Sequence, residues 1–91
     1  MTAESDEIRD AVVAYVRDEF RIDESELGWD APLVRTGLLD SVSLVQLAGH
    51  LEHRFGIEIP DQDIDAEHLD SVGMIVEYVR LRSSEAAGEG G

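Results

Sequence analysis

The chain predicts an all-α fold, and three observations carry that prediction. Apolar residues recur at helical spacing in three separate stretches, around Val12, Leu47 and Ile75. The stretches are punctuated as helices are, with Asp40-Ser41 and Asp70-Ser71 at two starts and Gly56 at a stop. With 91 residues, 43% of them hydrophobic and 31% charged, the chain can build one folded core and no second one. The domain is expected to span residues 1–82, with 83–91 a disordered acidic and Gly-rich tail.

The first helix is expected from about Ala3 to Phe20. Ile8, Val12, Val13, Val16 and Phe20 form its apolar stripe, and Asp, Glu and Arg fill the positions between. Thr2 or Ser5 is positioned to cap it, and Glu4, Asp6 and Glu7 suit its positive end.

Residues 21–39 then form a connection unusually long for a small domain. Its apolar residues Leu27, Trp29, Leu33 and Val34 argue against disorder and are spaced as anchors across a helix bundle. Gly28, Pro32 and Gly37 supply the turns. Trp29 is read as tacking this loop to the core in preference to stacking on a ligand.

The second helix is expected from Ser41 to Phe55. Leu44, Leu47, Ala48, Leu51 and Phe55 face inward, which leaves Val42, Val45, Gln46, Gly49 and His53 toward solvent. Gly56 is the left-handed stop, with Ile57 folding back on Leu51, and Arg54 suits the negative end. Ile57-Glu58-Ile59-Pro60 is read as extended with both isoleucines inward. A cap and a short helical turn around Ile64 follow between Asp61 and Asp65. Asp70 or Ser71 opens the last helix, whose inward face is Val72, Ile75, Val76 and Val79, with Tyr78 on the flank and an end near Arg82.

Composition excludes several function classes. A net charge of -14, with seven arginines and no lysine, repels a nucleic-acid backbone and anionic lipid, so partners should present basic patches. Zero cysteines leave no disulfide, no thiolate nucleophile and no Cys-type metal site, so any thiol chemistry comes from an added group. No apolar run is long enough for a membrane span. The N-terminus lacks the basic and apolar regions of a secretory signal, which gives a cytoplasmic expectation.

The stretch that concentrates chemistry is Gly37-Leu-Leu-Asp-Ser-Val-Ser-Leu-Val-Gln-Leu47. Asp40 caps the second helix, which places Ser41 in its first turn with the hydroxyl near the surface. A group attached there sits at a positive helix end, where dipole and free amides favour an anionic phosphodiester. An Asp-Ser pair alone is an ordinary cap, and the surroundings change the reading. The run from Asp30 through Ala-Pro-Leu-Val-Arg-Thr-Gly-Leu-Leu-Asp to Ser41, followed by Leu44, Leu47, Leu51 and Phe55-Gly56, closely resembles the acyl and peptidyl carrier proteins. The resemblance extends from about Ile8 to Val79.

That resemblance implies a right-handed four-helix bundle, with three long helices and one short one and a long loop between the first and second. It implies a 4′-phosphopantetheine arm on Ser41, taken from coenzyme A by a phosphopantetheinyl transferase, with Asp40 beside it. Further implied partners are an acyltransferase or adenylating enzyme that loads the arm and a downstream synthase or acyltransferase. The chain itself is expected to be a monomer. Leu39, Val42, Val45, Gln46, Gly49 and Glu52 are the expected partner-binding residues. Fatty-acid carriers usually follow the modified serine with leucine and a run of acids, where this chain has Val42 and, as its main acid, Glu52. The Gly-Leu-Leu-Asp-Ser form looks more like free-standing carriers of polyketide, nonribosomal-peptide or aminoacyl-transfer pathways, the D-alanyl carriers included. An acidic interaction module without a prosthetic group is the alternative from another class.

Catalysis and metal binding are not expected. Ser41 lacks a Gly-x-Ser-x-Gly elbow, and Asp40, its chain neighbour, cannot orient an imidazole as a triad carboxylate does. Asp61, Asp63 and Asp65 alternate like the start of an EF-hand loop, but Ala66 stands where Gly is needed and Val72 where a bidentate Glu is needed. His50 and His53 share a helix, yet neither they nor His68 find a third ligand at matching spacing. Ser43 lies about 200° around the helix from Ser41 by the helical period, off the family's attachment position.

Overall fold

Helix α1 (Ser5–Phe20) buries Ile8, Ala11, Val12 and Val16, the positions that the helical period selects. A computed structural model describes residues 4–89, with side chains through Ser84. Thr2, one of the proposed caps, lies outside the described residues. Ser5 is the first helical residue and not the cap: the capping position is Glu4, whose side chain makes no cap bond. Helix α1 ends in Arg21 at φ 58°, a left-handed C-cap without glycine. Such a conformation costs a non-glycine residue about 1–2 kcal/mol.

The long connection contains one 3₁₀ turn, Glu24–Glu26, capped by Asp23, whose side chain accepts from the Ser25 amide at 2.9 Å. Leu27 and Leu33 anchor it in the core as expected, and Val34 is half-buried. Trp29 does not enter the core. It is 47% exposed and lies against the start of the last helix. The reason is Gly73: its amide donates to the Trp29 carbonyl at 2.9 Å, and a Cβ there would come within 2.7 Å of the indole Nε1. The missing side chain brings the two backbones together, and the ring is left on the surface.

Helix α2 (Ser41–Phe55) has the bounds that the sequence pattern sets. Leu44, Leu47, Ala48 and Leu51 are buried, each leucine contributing about 1.5–3 kcal/mol of transfer free energy, while Phe55 at the end is half-buried. Gly56 closes the helix at φ 64°, and Ile57, whose amide donates to the Glu52 carbonyl at 3.2 Å, turns into the core. Ile57 and Ile59 are both buried along the extended segment.

The short helical turn expected between Asp61 and Asp65 is present, and a short α-helix follows it. Asp61–Asp63 is a 3₁₀ turn, and the short α-helix is α3 (Ala66–Leu69), past Ile64. Asp65 sets that start: its carboxylate accepts the His68 amide at 3.1 Å. Helix α4 (Val72–Glu89) opens after Ser71, whose Oγ accepts the Met74 amide at 3.1 Å. It runs past Arg82, the expected end, to Glu89. The segment from Ser83 read as a frayed tail is therefore helical to that point. Glu and Ala favour a helix, Ser opposes one only weakly, and Ser83 is buried.

The described residues form three long helices and one short one, with no strand among them. Helix α1 packs most extensively on α4, and α2 closes the bundle against both. One apolar cluster runs through all four, from Ile8 through Leu33, Leu39 and Leu44 to Leu69 and Val79.

Candidate functional site

Three backbone ties deliver the chain to the start of α2. The Leu33 amide donates to the Asp70 carbonyl at 2.5 Å, and the Leu33 carbonyl accepts the Leu39 amide at 2.9 Å. Between them Thr36 Oγ1 donates to the Pro32 carbonyl at 2.9 Å, and Gly37 turns at φ 81° with its amide on Val34. Residues 33–39 are thus a loop closed on itself at Leu33. The next residue is Asp40.

Asp40 has extended backbone angles, and its Oδ1 accepts the Ser43 amide at 2.8 Å while its carbonyl accepts the Leu44 amide at 3.0 Å. The Ser43 amide holds the Asp40 carboxyl below the usual carboxylate range. Ser41 follows as the first residue of α2 and is exposed. Among the described residues no side-chain hydrogen bond engages its hydroxyl. The site therefore offers a free alcohol at the positive end of a 15-residue helix. An anionic phosphodiester fits there, with solvent on one side and helix amides on the other.

A family model described as "Phosphopantetheine attachment site" matches residues 10–79, a span that includes this helix start. The chain belongs to that family. It is similar to the acyl carrier protein of Lactobacillus johnsonii, 36% identical over 75 residues that cover 82% of this chain and 91% of the relative. It is also similar to that of Helicobacter acinonychis, 34% identical over 68 residues (75% and 85%), and that of Thermotoga maritima, 32% identical over 80 residues (88% and 96%). This acyl carrier protein family member is a carrier and not a catalyst.

The carrier's outward face on α2 is partly the one that the sequence lays out. Val42 and Val45 are 65% and 55% exposed, and Gln46 and Gly49 continue the same stripe at i+4 and i+7 from Val42. Two residues assigned to that face belong elsewhere. Leu39 is 1% exposed, because the closed loop turns its side chain into the core. Glu52 is half-buried, and its Oε2 accepts the Ile59 amide at 2.9 Å, so it fastens the extended segment to α2.

His50, His68, Asp63 and Asp65 make contacts within the fold. His50 stacks on Tyr15 with ring centroids 4.2 Å apart, and burial holds its pKa below the ordinary value. His68 Nδ1 meets Asp65 at 2.8 Å, and that hydrogen bond raises the imidazole and lowers the carboxyl. Asp63 accepts from the Tyr78 hydroxyl at 2.5 Å and from Arg82 at 3.2 Å, which ties the 3₁₀ turn to α4. Burial, then Asp63, pushes the Tyr78 phenol up to about 12. Among the described residues no group of three or more His, Cys, Asp or Glu is placed to hold a metal ion, and no helix is long and apolar enough to cross a membrane.

The residue that sequence reasoning missed is Asp70. It stands at the helix start that the pattern marks, yet Ser71 does the capping. The Asp70 side chain, 9% exposed, instead reaches across to the loop before α2. No local signal marks that role, since its partners lie 35 and 36 residues away.

Proposed function

We propose that Ser41 carries the 4′-phosphopantetheine arm and that the protein holds a biosynthetic acyl or aminoacyl group on it. The observation that supports this most directly is the exposed Ser41 hydroxyl at the first turn of α2, which no side chain among the described residues hydrogen-bonds. In the modification, Ser41 Oγ forms a bond to the β-phosphorus of coenzyme A. The pyrophosphate P–O bond breaks, the adenosine 3′,5′-bisphosphate leaves, and the hydroxyl proton passes to a base on the transferase. The bound group supplies a terminal thiol that this cysteine-free chain lacks, and so a thioester site.

What the chain contributes is position. Asp40 fixes where α2 begins, the helix amides face the phosphodiester, and Val42, Val45, Gln46 and Gly49 offer a shallow stripe to partner enzymes. A tethered acyl group is presented at high effective concentration, and a small contact face lets each enzyme release the carrier.

The pathway we favour is polyketide or nonribosomal-peptide type metabolism, with loading by an adenylating enzyme or an acyltransferase. The support is Val42 after the serine and a helix α2 whose one acidic residue, Glu52, is already engaged. Incubation with coenzyme A and a broad-specificity phosphopantetheinyl transferase, read by intact mass, tests the attachment. One added phosphopantetheinyl group that is lost in Ser41→Ala is expected, and an unmodified wild-type protein overturns the reading. Loading of the modified protein by an amino-acid adenylating enzyme or by a malonyl-transferring acyltransferase is expected, and elongation of the malonyl-loaded protein by a fatty-acid ketosynthase at the rate of a fatty-acid carrier overturns the pathway.

A further inference from the structure

The loop that delivers Ser41 is hung on the start of α4, and one buried carboxylate does most of the hanging. Asp70 Oδ1 accepts two consecutive backbone amides, Val34 at 2.8 Å and Arg35 at 3.1 Å. Its Oδ2 lies 3.4 Å from Arg35 Nε, and its carbonyl holds the Leu33 amide at 2.5 Å. Three successive amides of the loop thus end on one residue. A second hook lies three residues on, where the Gly73 amide donates to the Trp29 carbonyl.

From Asp70 the tie to Ser41 is short. Leu33, held by Asp70, accepts from Leu39 and closes the loop, and the residue after Leu39 is the helix cap Asp40. The buried Leu39 side chain pins the same point from inside. With these ties in place, the angle at which the chain enters α2 is set by the junction of α3 and α4, on the far side of the loop. Resting on the reading of Ser41 as the modified residue, we infer that Asp70 is a positioning residue for phosphopantetheine transfer. By gripping the Val34 and Arg35 amides it holds Ser41 Oγ where a transferase meets it.

Removing that carboxylate leaves two amides without an acceptor and frees the loop. A displacement of about 1 Å at a reacting atom lowers a rate by up to ~10²-fold, so a large kinetic effect accompanies a modest structural one. Asparagine keeps an oxygen at the Oδ1 position and so keeps both amide bonds, losing only the Arg35 ion pair. That pair is exposed on its Arg35 side, 66% by side chain, and contributes little.

The experiment follows transfer from coenzyme A to wild type, Asp70→Ala, Asp70→Ser, Asp70→Asn and a core control, Val16→Ala in α1, together with amide hydrogen exchange. Expected are a fall of about tenfold or more in the transferase kcat/KM for Asp70→Ala, and faster exchange at residues 33–43. Asp70→Asn should stay within about threefold of wild type on both readouts. Val16→Ala should lower Tm without slowing transfer. Should Asp70→Ala not fold, Asp70→Ser, whose shorter side chain does not span both amides, takes its place. Transfer to Asp70→Ala or Asp70→Ser at the wild-type rate overturns the inference, as does a Val16→Ala protein slowed equally. Failure of the underlying reading looks different: wild type is then unmodified, or Ser41→Ala is still modified.

Discussion

Asp40 Oδ1 and the Ser43 amide lie 2.8 Å apart, and this bond places the first turn of α2 under Ser41. It also gives the site a reporter. The amide favours the charged carboxylate, so the Asp40 pKa is lowered in the folded protein. The stability it contributes is present above the ordinary carboxylate pKa of 3.8 and is lost as pH falls through the lowered value.

A phosphodiester on Ser41 adds a second negative charge next to Asp40 and opposes the carboxylate. The Asp40 pKa should therefore rise on modification. Carboxyl-carbon NMR titration of the unmodified and modified proteins measures this, and an unmoved or falling value contradicts the placement of the arm. Asp40→Ala should lower Tm, with Asp40→Asn losing less because its oxygen still caps.

Leu39 and Val42 are three residues apart, yet one is core and the other surface. Leu39→Ala should cost about 2–5 kcal/mol, as a truncated core leucine does. Val42→Ala and Val45→Ala should stay within about 0.5 kcal/mol of wild type. Urea unfolding curves separate them, and equal midpoints for Leu39→Ala and Val42→Ala would contradict the closed loop at Leu33. If the exposed stripe meets partners, the two valine variants should instead raise KM in a transferase or loading assay.

Gly73 should not tolerate alanine, although alanine is the better helix former by ~1 kcal/mol. The added Cβ would lie 2.7 Å from the Trp29 Nε1 and 3.0 Å from the Trp29 carbonyl oxygen, and the carbonyl is backbone. Gly73→Ala should lose about 1–3 kcal/mol net. The loss should shrink in a Trp29→Ala background. Because Trp29 is the single tryptophan, its fluorescence reports the displaced ring directly, and an unshifted spectrum would count against the contact.

His68 and His50 should pull stability in opposite directions with pH. The His68 pKa is raised by Asp65 first, with Asp63 and Glu67 adding to it, so the folded state holds its proton longer than the unfolded chain. That stabilisation is full below the ordinary 6.5 and is lost as pH rises through the raised value. Burial lowers His50, so its effect runs the other way: stability falls as pH drops below 6.5 through the lowered value. Urea midpoints on either side of 6.5 for His68→Gln and His50→Gln should show slopes that differ from wild type with opposite sign.

The sequence by itself determined what is local. The stripe Leu44, Leu47, Ala48 and Leu51, the Asp40 cap and the Gly56 stop gave α2 its bounds, because each acts within a few residues of the backbone it controls. Ser41 at the first turn followed from the same facts. The tertiary structure decided the rest: that Leu39 turns inward, that Glu52 fastens Ile59, that Trp29 lies outside on Gly73, and that Asp70 holds the loop. Those outcomes depend on partners brought together only when the bundle closes, up to 44 residues apart for Trp29 and Gly73, and helical periodicity carries no information about them.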